Sequence, residues 1–176
     1  MIEKAIAFAN EKHSGQFRKG GSIPYILHPL EAGIIISQIA YDEELIAAAF
    51  LHDLVEDAGI TLEEIAQEFS PRVAQLVESQ TEDKSLSWHE RKNHTVETIS
   101  QAPLEVKLLT LADKLSNARS LSRDFDEVGD ELWERFNMKD KVQQGAYYLG
   151  LVKGLSDLSY LKEYQELKDI VTKLFA

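Results

Sequence analysis

The sequence predicts an all-α fold, a bundle of about eight to ten helices, and three observations carry the prediction. Apolar residues recur at spacings of three and four nearly everywhere. No segment shows the strict alternation of a half-buried strand. Only four prolines interrupt 176 residues, and there is no low-complexity stretch, repeat or linker. The composition is 44% hydrophobic and 28% charged, ordinary for a globular chain long enough to bury a core.

The elements follow in order. Residues 2–13 form a first helix with Ile2, Ala5, Ile6 and Ala9 on one face. Residues 14–27 break the pattern with three glycines, a proline and the adjacent cations Arg18 and Lys19, and so read as an exposed loop. His28-Pro29 opens the next helix, to about 41, because proline suits a first helical turn. Helices are expected at about 43–57 and 61–69, the latter with Thr61 and Glu64 spaced as a capping box. Pro71 opens a fifth, to about 80. A polar loop at 81–87 precedes helices at about 88–100, 103–122, 128–155 and 158–174.

Several function classes are excluded at the outset. There is no cysteine, hence no disulfide, thiolate metal site or cysteine nucleophile. The formal net charge of −11 argues against nucleic acid, whose phosphates need a basic surface. It leaves room for a small phosphorylated substrate, which a metal and a few cations can hold locally. No apolar run is long enough for a membrane span, and the amphipathic N-terminus lacks a signal peptide's apolar core. The chain is read as cytoplasmic; the sequence leaves its oligomeric state open.

Three places could carry chemistry. In AAAFLHDLVEDAG an almost wholly apolar run ends in His52, Asp53, Glu56 and Asp57. Buried charge is costly unless it is paired or binds metal. Helical spacing sets Glu56 and Asp57 over His52 and Asp53. His28, between the glycine-rich loop and Pro29, is aimed by a stiff backbone. Asp113 interrupts an otherwise apolar helix, and Ser116, Asn117 and Ser120 continue a polar stripe. Two imidazoles and two carboxylates suit a six-coordinate ion, Mn²⁺ first, with Fe²⁺ or Mg²⁺ as substitutes, better than closed tetrahedral zinc. Arg18 and Lys19, and behind them Lys84, Arg91 and Lys92, could meet phosphate. His13 supports the loop, His89 and His94 read as surface residues, and Trp133, Tyr147 and Tyr148 as packing.

The segments RKGGSIPYILHP, LHDLVED, TEDKSLSWHERK and LADKLSNARSL, in this order over roughly residues 5–155, resemble the HD-domain hydrolases of the RelA/SpoT type, and most of all the stand-alone small alarmone hydrolases. The resemblance places the family's metal ligands on His28, His52, Asp53 and Asp113. It puts the catalytic acid pair on Glu56 and Asp57. The guanine-stacking arginine and its neighbouring lysine fall on Arg18 and Lys19, and nucleoside contacts on Asn117 and Ser120. It implies one phosphohydrolase domain, 1–176, that removes pyrophosphate from the 3′ position of guanosine tetra- or pentaphosphate with Mn²⁺ and ends stringent-response signalling. With the chain ending at Ala176, hydrolysis without synthesis is expected. The sequence departs from the family where Gly20-Gly21-Ser22-Ile23 follow Lys19, after Asp124, and at Gln144, where some relatives carry an aromatic. The alternatives are an HD phosphohydrolase acting on another nucleotide (a 3′-diphosphorylated adenine nucleotide, the 2′-phosphate of NADPH or a nucleoside monophosphate), a nucleotide-binding module without turnover, and a plain helical interaction domain.

Overall fold

A computed structural model describes all residues, 1–176. It holds ten α-helices and two short 3₁₀ helices, and its one β-type pairing is an isolated antiparallel bridge between Phe17 and Pro24. The all-α expectation holds. The chain forms two compact units: Met1–Glu82 with Leu104–Asp113, and Asp83–Pro103 with Lys114–Ala176.

The first unit contains α1 (Ile2–Lys12), α2 (Leu27–Ile39), α3 (Glu43–Leu51), α4 (Leu54–Asp57), α5 (Leu62–Glu68), α6 (Pro71–Glu78) and the start of α8 (Leu104–Val128). Its centre is α3, which packs on α1, α2 and α6. Every residue from Leu45 to Leu51 is buried, so this helix has no solvent face beyond its first turn. Asp42 starts it, its carboxylate accepting from the Glu44 and Leu45 amides. Arg72 from α6 binds Asp42, Glu44 and Glu105, tying the starts of α3, α6 and α8 together. In α2, Gly33 lies so close to α3 that a Cβ there would overlap the Phe50 ring. Thr61 and Glu64 form the expected capping box at the start of α5.

The second unit holds α7 (Trp88–Ile99), the rest of α8, α9 (Lys141–Gly154) and α10 (Lys162–Phe175), with 3₁₀ turns at Gly129–Arg135 and Ser156–Leu158. The helix α9 packs on α7 and α10. A capping box of Ser87 and Glu90 starts α7. Trp133, Tyr147 and Tyr148 are buried, as their reading as packing residues expects, with Tyr148 stacked on Phe175.

Three expected helices need correction. The helix expected at 43–57 is interrupted at His52 and Asp53, with Asp53 at φ −93°, ψ −4°, a sparsely populated backbone region where active-site residues recur. The helix expected at 103–122 runs on to Val128. It stops at Gly129, whose φ of 60° and ψ of −142° are essentially open to glycine alone. The continuous helix expected at 128–155 is therefore a 3₁₀ turn, an irregular link and α9, which restarts on the Asp140 carboxylate.

Candidate metal centre

The site is built by three segments of the first unit. The loop before α2 is tighter than its composition implies: the Arg18 amide donates to the Ile23 carbonyl at 2.8 Å and the Tyr25 amide to Gln16 at 2.9 Å. These bonds fold the loop back on itself, with Arg18 and Lys19 near its tip. His28 follows in the first turn of α2 and is buried. His52 and Asp53 sit at the break after α3. Asp113 enters from α8, held by its buried neighbours Leu111, Ala112 and Leu115.

These side chains converge. The Nε2 atoms of His28 and His52 lie 3.2 Å apart. Asp53 Oδ2 is 3.4 Å from His28 Nε2 and 3.2 Å from His52 Nε2, and Asp113 Oδ1 is 3.3 and 3.8 Å from the same atoms. One donor atom from each of His28, His52 and Asp113 falls within 4.8 Å of the others. Donors at right angles around an ion with bonds of roughly 2.1 Å stand about 3 Å apart, so the set fits one octahedral cation.

The backbone fixes the His52 tautomer. His52 Nδ1 is 2.8 Å from the Ala49 carbonyl, which can only accept, so Nδ1 carries the proton and Nε2 offers its lone pair to the cluster. At 3.2 Å the two Nε2 atoms either share a proton in a nitrogen–nitrogen hydrogen bond or both turn lone pairs to a cation. Burial alone would lower the His52 pKa, but the charge of Asp53 and hydrogen bonds to Asp113 and Asp53 hold it well above the usual value. Burial alone would raise Asp53, yet the His52 charge and hydrogen bonds from both imidazoles hold it well below the carboxylate range. The same negative potential suits a divalent cation in place of that proton.

Around this cluster, one Glu56 carboxylate oxygen accepts from the Glu82 backbone amide at 2.7 Å. Asp57 is exposed, and its Oδ2 lies 3.1 Å from the Tyr25 hydroxyl. That hydroxyl donates to Asp53 Oδ2 at 2.7 Å. Burial, and then the charge of Asp53, pushes the Tyr25 pKa far up, so the phenol keeps its proton. The Arg18 guanidinium lies over the Tyr25 ring, 5.6 Å from its centroid. Asn117 and Ser120 stand about one and two turns beyond Asp113 along α8, in the second unit. Sequence reasoning passed over Tyr25 and Gln16, which are uncharged and interrupt no apolar run.

Residues 5–142 match the HD domain family. The chain belongs to this family. This HD-domain protein is 42% identical to the guanosine-3′,5′-bis(diphosphate) 3′-pyrophosphohydrolase MESH1 of Danio rerio, covering 82% of this chain and 83% of that one. Against the Mus musculus protein of the same name identity is 36%, over 99% and 93% of the two chains. A guanosine-3′,5′-bis(diphosphate) 3′-pyrophosphohydrolase of Aquifex aeolicus (strain VF5) is 40% identical over 68% of this chain, which spans only 18% of that longer protein. Among solved structures, one described as a metazoan ortholog of SpoT that hydrolyzes ppGpp superposes with a TM-score of 0.82 at 28% identity, over 98% of this HD-domain chain and 94% of that one. A Listeria monocytogenes EGD-e protein superposes with a TM-score of 0.77 at 34% identity, over 84% and 98%. The family and the His28, His52 and Asp113 donors together indicate a divalent metal. No helix is long and apolar enough to cross a membrane.

Proposed function

We propose that this HD-domain protein is a metal-dependent guanosine-3′,5′-bis(diphosphate) 3′-pyrophosphohydrolase, converting guanosine tetra- or pentaphosphate to GDP or GTP and pyrophosphate. The observation that carries this reading is the convergence of two imidazole nitrogens and two aspartate oxygens at separations of 3.2 to 3.8 Å. Relatives that bear this activity in their names, matched over most of their length, supply the substrate class.

His28, His52, Asp53 and Asp113 would hold the ion, with Mn²⁺ preferred because imidazole donors favour it over Mg²⁺, and Fe²⁺ as a substitute. Such a cation, when bound, supplies a Lewis acid for phosphoryl oxygen and an acidified water. Glu56 and Asp57 orient the attacking water and take its proton. Attack falls on the phosphorus bonded to the ribose 3′ oxygen; that phosphorus–oxygen bond breaks, the 3′ oxygen gains a proton and pyrophosphate leaves. Arg18, beside Lys19, offers a flat cation for the base, and Lys19 a point charge for phosphate. The family resemblance adds Asn117 and Ser120 as nucleoside contacts. The reading treats residues 1–176 as one phosphohydrolase domain at work in the cytoplasm.

One observation favours a second reading of the base. Gly20-Gly21-Ser22-Ile23 reshape the loop that presents Arg18, so an adenine nucleotide with the same 3′-diphosphate belongs in the test. The experiment incubates Mn²⁺-loaded protein with guanosine and adenosine 3′-diphosphorylated nucleotides and measures pyrophosphate. Release from the guanosine compounds is expected; release from none of them overturns the proposal.

A further inference from the structure

The geometry points to Tyr25 as the positioning residue that locks Asp53 and Asp57 into one register through a hydroxyl shared between their carboxylates. This rests on the proposed function, in which Asp53 is a metal ligand and Asp57 handles water.

The atoms involved make the case. Tyr25 Oη is 2.7 Å from Asp53 Oδ2, the same oxygen that faces both imidazole nitrogens. Asp53 therefore spends one lone pair of that oxygen on the phenol and directs another toward the ion position. A hydrogen bond of this kind fixes a ligand's orientation and tunes its donor strength. Tyr25 Oη also lies 3.1 Å from Asp57 Oδ2. A hydroxyl has one proton, so the shorter contact is the stronger bond and the longer one a weaker, shared contact.

The ring is held as firmly as its hydroxyl. It meets the His28 ring edge-on at 5.9 Å and tilts against His13 at 5.0 Å, with the Arg18 guanidinium on its face. Its backbone amide donates to the Gln16 carbonyl. Gln16 in turn donates through Nε2 to the Asp57 carbonyl at 2.8 Å, while its Oε1 accepts from His13 Nδ1 at 2.7 Å. Asp57 is thus gripped at its carbonyl by Gln16 and at its carboxylate by Tyr25. Both grips belong to the loop that also carries Arg18 and Lys19. A four-residue helix such as α4, anchored by the buried Leu54 alone, has little packing of its own to aim the exposed Asp57 carboxylate, and this bracket provides it.

The test compares wild type, Tyr25→Phe, Asp113→Ala, Asp57→Asn and the Tyr25→Phe/Asp57→Asn double variant. Mn²⁺ affinity is read by titration calorimetry, kcat and KM by pyrophosphate release, and folding by thermal melting. Phenylalanine keeps the ring and its packing and removes only the hydroxyl. Tyr25→Phe is expected to melt within a few degrees of wild type, yet to weaken Mn²⁺ binding about 10- to 100-fold and lower kcat by a similar factor. KM should move less than about threefold, the pattern of an interaction that matters in the transition state. In the Asp57→Asn background the kcat loss from Tyr25→Phe should shrink, since coupled residues do not add. Mn²⁺ affinity and kcat within about twofold of wild type for Tyr25→Phe would overturn the positioning role alone. A wild type that binds no Mn²⁺, or an Asp113→Ala variant that binds it as well as wild type, would overturn the site reading and the inference with it.

Discussion

At the scale of single residues, the break at His52 and Asp53 divides the proposed metal ligands from the acids proposed to handle water. Asp53 Oδ2 touches both imidazoles, whereas Glu56 points one oxygen at the Glu82 amide and lies outside the four-donor cluster. Asp53→Ala is expected to lose both bound Mn²⁺ and activity. Glu56→Gln keeps an acceptor for Glu82, so it should keep the metal and the loop while losing about 10²- to 10⁴-fold in turnover, the usual worth of a general base. Metal analysis beside kinetics decides: a Glu56→Gln variant purified without metal shows that Glu56 is itself a ligand. The residues proposed as ligands stood out in the sequence because polar groups inside apolar runs demand an explanation. His52, Asp53 and Asp113 each break such a run. Tyr25 was not legible, because a neutral aromatic before a helix looks like packing; only its hydroxyl's partners reveal it.

At the scale of elements, α3 is the piece whose placement fixes the site, and two contacts govern it. Gly33→Ala would gain up to about 1 kcal/mol of helix propensity but drives a methyl into the Phe50 ring. Overpacking of this kind costs about 1–3 kcal/mol, so net destabilisation is expected, with weaker Mn²⁺ binding as α2 and its His28 are pushed from α3. Thermal melting reads the sign; a higher melting temperature would mean that the helices can separate freely. The second contact is electrostatic. Arg72 holds the Asp42 carboxyl down to about 2. An acid lowered on folding, from about 3.9 in the unfolded chain, adds stability above that value and loses it as pH falls toward 2. Asp42→Asn keeps a capping oxygen and removes the charge. Because the side chain is a third exposed, the loss at neutral pH should be only about 1 kcal/mol. Denaturant melts of the pair should differ at pH 7 and converge between about pH 4 and pH 2. Helix ends that rest on side-chain caps were readable, as at Thr61. Those set by backbone conformation were not: nothing in the composition around Asp53 announces a break, and Gly129 was read through as one more helical position.

At the scale of the whole molecule, the proposed metal donors belong entirely to one compact unit. The second unit contributes packed aromatics and the remainder of α8. Ligand binding stabilises what it contacts by mass action, about 2.7 kcal/mol at a hundredfold excess over the dissociation constant. Added Mn²⁺ should therefore slow amide hydrogen exchange most in α2, α3 and the opening turns of α8. Chelation should reverse this. Equal protection of α9 and α10 would show that the two units open as one. The all-α class and most helix positions followed from periodicity alone. The division into two units did not, because it depends on which helices touch, and heptad-like spacing within a segment is silent about its neighbours.

The donors are contributed by residues 28, 52, 53 and 113, and the last of these is carried by a helix that begins at Leu104. Helix formation within each segment brings no two of these segments together; only the packing of α2, α3 and α8 does. The proposed ion site therefore reports on native packing: any partly folded state in which α8 has come away from α2 and α3 lacks a closed donor set.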